Sequence, residues 1–182
     1  FWGIAIPVML ATLYLAGHTI ALNITSVTKG PVHWHADYQV WVCGEQLNLV
    51  NPRFPSNKIG SPLLHEHNDE RIHIEGVVSD LNEISLNHYF EIIGAGLASD
   101  ELAYPTEKGR IGVKNGDLCK DNAKGTLKVY VNGKRTSNPD KYVIYPSSYV
   151  PPGDCIIILF DETNTETTEK VCTSWKANDI TY

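Results

Sequence analysis

HWHADYQVWV, residues 33–42, alternates without a break. Trp34, Ala36, Tyr38, Val40 and Val42 fall on one side of an extended chain, and His33, His35, Asp37 and Gln39 fall on the other. A helix would scatter both sets, so this stretch reads as a β-strand with one apolar face. Cys43-Gly44-Glu45 then turns the chain into QLNLV, which makes a hairpin. RIHIEGVV repeats the pattern, with Ile72, Ile74 and Val78 facing inward and Arg71, His73 and Glu75 outward.

Other elements follow outward from this strand. SLNHYFEIIG reads as a helix: Ser85 is the N-cap, Leu86, Tyr89, Phe90 and Ile93 form the apolar stripe, and Gly94 stops it. Lys114-Asn115-Gly116 reads as a turn. TLKVYV ends at Asn132-Gly133, a hairpin signal, and CIIILF is a short apolar run suited to a central strand. Strands, one helix, then two more strands predict an α+β domain, mainly β. The order resembles a β-grasp sheet with one packed helix, and an all-β sandwich with an incidental helix is the competing reading.

The outward face carries the chemistry. Five of the seven histidines, His33, His35, His65, His67 and His73, fall in HWHAD and HEHNDERIHIEG. Neutral imidazole is the commonest transition-metal ligand near pH 7. Residues i and i+2 of a strand point the same way, about 6.6–6.8 Å apart, so each His-x-His pair can present two imidazoles to one ion. All five are therefore candidate ligands for copper or zinc. The competing reading is a polar strand face whose histidines pair with Asp37, Glu66, Asp69, Glu70 and Glu75. A catalytic zinc-type site with Glu66, Glu70 or Glu75 as base is a third reading, but no independent catalytic signature accompanies it, and the chain reads as non-enzymatic. His18 and His88 lie apart from the group.

The 182 residues carry a net charge of −6 with 15 Lys and Arg, too few to offer nucleic acid a basic face. Charge is unevenly spread. Residues 1–22, FWGIAIPVMLATLYLAGHTIAL, contain no Asp, Glu, Lys or Arg, and as a helix would reach about 33 Å, enough for a bilayer core. Residues 23–32 read as a linker, with a glycosylation pattern at Asn23, and 33–182 as the extracytoplasmic domain. Cys43, Cys119, Cys155 and Cys172 include no C-x-x-C pair. An even number of scattered cysteines after an apolar segment suggests two disulfides in an oxidising compartment. Of three possible pairings, Cys119–Cys155 with Cys43–Cys172 is the preferred expectation, because it would tether a loop and the tail to the sheet.

Two resemblances add expectations. The start FWGIAIPVML resembles that of type IV pilin-like proteins, although Ala5 stands where many bacterial members have Glu. That likeness implies a cell-surface subunit that self-associates through Phe1–Leu22, at least transiently in the membrane. HWHAD, HEHNDERIHIEG and PPGDCIII together resemble a set of uncharacterised membrane-anchored extracytoplasmic proteins of small-genome bacteria. There the helix is a plain anchor, which implies a monomeric membrane-anchored metal binder instead.

Overall fold

The computed structural model describes residues 2–120, 122–144 and 153–180. Phe1 and the two prolines of PPGDC lie outside the described residues. The chain is an N-terminal apolar helix followed by a mainly β domain, α+β in class. In order it forms α1 (Trp2–Thr25), β1 (Pro31–Val42), β2 (Glu45–Leu47), β3 (Ile59–Gly60), β4 (Leu64–Glu66), β5 (Arg71–Val77), α2 (Leu86–Ile92), β6 (Gly96–Leu97), β7 (Glu101–Thr106), β8 (Gly109–Lys114), β9 (Thr126–Val131), β10 (Lys134–Thr136), β11 (Cys155–Asp161) and α3 (Thr173–Ala177).

The main sheet runs β10-β9-β11-β1-β5-β4-β3, with β2 also on β1. Its centre is the parallel pair β1 and β11, flanked by antiparallel β5 and β9. A central parallel pair made of the first and last strands, with α2 crossing between the second and third main strands, is the β-grasp arrangement. The expected faces are the observed ones. Ala36, Tyr38, Val40, Ile72, Ile74, Val129, Ile156, Ile158 and Phe160 join Leu86, Tyr89 and Phe90 of α2 in one buried cluster. Ser85 accepts a hydrogen bond from His88 N, and Gly94 follows the C-cap at φ 76°. Asn132 and Gly133, both at positive φ, close the β9–β10 hairpin.

Apart from the disulfide pairing, three features differ from the sequence reading or add to it. Residues 96–114 form a separate three-stranded antiparallel sheet, β6-β7-β8, where no strand was expected. Pro105 and three glycines obscure the alternation there, while Leu102 and Tyr104 pack into the core. The tail makes a short helix, α3, whose Trp175 joins Tyr130, Ile157 and Leu159 in a second cluster on the other face of the sheet. The connection between α1 and β1 is residues 26–30, shorter than the linker read from composition.

The disulfides are Cys43–Cys119 and Cys155–Cys172, not Cys119–Cys155 and Cys43–Cys172. The reason is which face each thiol occupies. Cys43 and Cys119 pack against the first cluster, whereas Cys155 and Cys172 belong to the second. In addition, Cys155 pairs in register with Asp37, six residues back along β1 from Cys43. At about 3.3 Å per residue that puts the two about 20 Å apart along the strand direction. A disulfide needs Cα atoms within about 7 Å, so neither expected bond can form.

Candidate metal centre

Three adjacent strands assemble the histidine face. In the registers of β1 with β5 and of β5 with β4, His35 lies opposite His73, and His73 opposite His65. One row across the sheet therefore carries three imidazoles. His33, opposite Glu75, occupies the next row along β1, and His67 follows β4 two residues after His65. The rings close into a chain: His33–His35 and His35–His73 are each 4.7 Å between centroids, His67–His73 is 5.0 Å and His65–His67 is 5.1 Å. His65 stacks parallel on His73 at 5.5 Å. All five predicted histidines share one face. His88 sits apart on α2, 3.6 Å from Glu91.

Within the group, His33, His35 and His73 offer ligand nitrogens that lie within 4.8 Å of one another. The Nε2 atoms of His33 and His35 are only 3.0 Å apart. Two ligands on a tetrahedral ion with bonds of 2.0–2.1 Å are about 3.3 Å apart, so small ring rotations are enough to seat one.

Two outer contacts fix which ring nitrogens are free. Asp69 Oδ2 lies 3.2 Å from His73 Nε2, and a carboxylate can only accept, so Nε2 carries the proton. His73 Nδ1 is then left with its lone pair, and it is buried without a partner. Likewise Asn57 O accepts from His67 Nδ1 at 2.8 Å, which leaves Nε2 as donor to a cation. Oxygen acceptors behind imidazoles are the usual second layer of a metal site. Asp69 was among the carboxylates read as possible partners. Asn57 was not, because its backbone carbonyl comes from a loop and leaves no mark in the sequence.

Electrostatics favour neutral rings. Burial, reinforced by the nearby charges of His73, Arg71 and His33, lowers the pKa of His35. Burial first, then Lys58, lowers that of His65. An imidazole kept unprotonated keeps the lone pair that a metal needs.

The three carboxylates read as candidate bases have separate fates. Glu75 joins the histidines, with Oε1 3.2 Å from His33 Nε2, so by the same argument that nitrogen carries a proton here and would release it on taking up an ion. Glu70 is held by Gln46 at 2.7 Å, Thr173 at 3.0 Å and Gln39 at 3.2 Å. Glu66 is turned to the opposite face, where it lines a small cavity with Tyr38 and Tyr104, and burial raises its pKa. Beside the histidines, Arg71 grips buried Asp37 through Nε (2.7 Å) and Nη2 (3.3 Å), and Ser174 of α3 donates to the same carboxylate. This pair separates the open histidine surface from the part covered by α3.

Gly153 and Asp154 pack against the strand that carries His35. A Cβ on Gly153, at φ +114°, would lie 1.9 Å from the carbonyl oxygen of His35. Only glycine lets the chain come that close to the backbone of His35. Asp154 O then accepts from Asp37 N at 2.8 Å, and Asp154 Oδ1 accepts from Asn132 at 2.8 Å.

The site lies at the end of the sheet nearest α1. Val27 N donates to Val78 O at 3.0 Å and Thr28 Oγ1 accepts from Val78 N at 3.1 Å, so the connection docks just past the end of β5. His33 is the third residue of β1. None of the side chains of α1 is buried, and its 24 residues would reach about 36 Å, long and apolar enough to cross a membrane. Fold and site thus define a disulfide-bonded β-grasp-like domain with a histidine triad, joined to a candidate membrane helix. No protein-family model, curated protein or solved structure matches this chain.

Proposed function

We propose that this protein is a non-enzymatic, membrane-anchored metal binder that holds copper or zinc on His33, His35 and His73, outside the cytoplasm and close to the bilayer. The observation that carries this reading is the convergence of three imidazole nitrogens within 4.8 Å, with His73 oriented by Asp69. Two disulfides fit an oxidising compartment. All-imidazole sites suit both metals, and the affinity order places copper(II) above zinc.

The test is thermal unfolding of the full chain in detergent with added Cu(II) or Zn(II). Metal at about 100 times Kd stabilises by about 2.7 kcal/mol, roughly 5–10 °C for a domain of this size. His33→Ala/His35→Ala should abolish the shift and leave the metal-free transition almost in place. If metal gives no shift in the wild type at neutral pH, the histidines are an ordinary polar face. Collapse of the metal-free double variant would make them structural.

A second reading is self-association through residues 1–22, as in a pilin-like filament. It is favoured by the absence of any charged or buried side chain along α1, which leaves the whole circumference open to identical helices. Recovery of filaments from sheared cells would support it. A monomer in detergent that stays with the membrane after shearing would refute it.

A further inference from the structure

We infer that the histidine face holds two metal ions, the second on His65, His67 and Glu75. The inference rests on the metal reading above and extends it to residues that the first triad leaves unused. His65 is the starting observation. It is 0% exposed, and neither ring nitrogen has a hydrogen-bond partner. A buried polar group without a partner is costly, so such a ring signals a ligand. His65 stands outside the one group among the described residues whose ligand atoms lie within 4.8 Å of one another, His33, His35 and His73. His67 and Glu75 do not close such a group around it at rest, so the half-buried His67 and the exposed Glu75 must turn toward His65 to take up an ion.

Glu75 connects the two halves. Its Oε1 is 3.2 Å from His33 Nε2 and its Oε2 is 3.7 Å from His65 Nε2. The second distance is beyond a hydrogen bond but suits two ligands of one ion. A carboxylate whose oxygens face two different imidazoles is placed as a bridging ligand between neighbouring cations. His67 supplies the third ligand, with its ring 5.1 Å from that of His65 and its Nδ1 already committed to Asn57. Two close dications repel, and the carboxylates of Glu75 and Asp69, both at the cluster, offset part of that repulsion. The second position is the inner one: His65 is buried and His67 half-buried, whereas His33 stands at the exposed rim.

Cu(II) is the probe, because paired copper ions couple magnetically. The full chain in detergent at neutral pH should bind two equivalents. The electron paramagnetic resonance spectrum should show a coupled pair, by a half-field line or by loss of intensity at the second equivalent. His67→Ala should remove the second equivalent and the coupling while keeping the first. His65→Asn should do the same, and the half-exposed His67 keeps the test valid if the buried change prevents folding. One equivalent in the wild type, lost in His33→Ala/His35→Ala, would overturn the pair and leave the single site standing. Two uncoupled equivalents that survive His67→Ala would also overturn it, as would no binding at all, which would end the metal reading too.

Discussion

Along β5 the side chains alternate between two environments. Ile72 and Ile74 are fully buried under α2, while Arg71, His73 and Glu75 face the other way, into paired charges and imidazoles. The two faces of the sheet are built from the same strands but held by different forces. The α2 face is a continuous apolar cluster. The opposite face is apolar only where α3 covers it, then changes to the Asp37–Arg71 pair and finally to histidines. The contrast is one of composition: most apolar burial lies on one face and the imidazoles on the other. Buried polar atoms without partners occur on both, Glu66 Oε2 and Tyr89 Oη on the first and the His65 nitrogens and His73 Nδ1 on the second. Each face has its own disulfide, Cys43–Cys119 on the first and Cys155–Cys172 on the second.

Removing the disulfides is the strongest way to break this division. The cysteines of Cys43–Cys119 are 76 residues apart and those of Cys155–Cys172 are 17 apart. On the chain-entropy argument, Cys43→Ser/Cys119→Ser should cost about 4.5 kcal/mol and Cys155→Ser/Cys172→Ser about 3 kcal/mol. Denaturant unfolding of both variants checks the order, and a reversed order would mean that α3 and Trp175 contribute more than the α2 face.

Neighbouring residues on β5 give the next comparison. Ile74→Ala should cost about 2–5 kcal/mol, because it opens a cavity in the fully buried cluster. His73→Ala should cost the metal-free fold about 1 kcal/mol or less, yet abolish the metal-induced shift. Equal losses in the metal-free state would erase the distinction between the faces.

Glu66 tests the core face by its charge. Burial raises its pKa above the unfolded value of 4.5. Between those two values the unfolded chain has already released the proton that the folded chain keeps, so this group withdraws stability as pH rises. Glu66→Gln should therefore stabilise the domain at neutral pH by about 1 kcal/mol. It should also flatten the stability profile above pH 4.5, as followed by melting at several pH values.

The smallest effect comes from the histidine face. His35 and His65 have folded pKa values below the ordinary 6.5. Above pH 6.5 both states are neutral at these rings and they contribute nothing. As pH falls from 6.5 to the lowered values, the unfolded chain takes up protons first, so the metal-free fold loses stability across that window. On the proposed metal reading, affinity should fall over the same range as protons compete for the imidazoles. His35→Asn should lessen the metal-free loss, measured by melting between pH 7 and pH 5.

Much of this was legible in the residues themselves. The alternation in HWHADYQVWV and RIHIEGVV fixes which side chains share a face, because period two is a property of a single extended strand. Ser85 and Gly94 bound α2, and Asn132-Gly133 closes a hairpin, through backbone chemistry that acts over a few residues. The uncharged stretch before Asn23 sets the length and polarity of α1. The tertiary structure decided the rest. The sequence could nominate five histidines, but His35, His73 and His65 form one row only because β1, β5 and β4 are neighbours in that register. The thiols pair as they do because burial sorts them onto opposite faces. Gly153 matters only because β11 brings it against His35. Neighbour, register and face come from burying apolar surface contributed by distant parts of the chain, and no local pattern records which distant parts will meet.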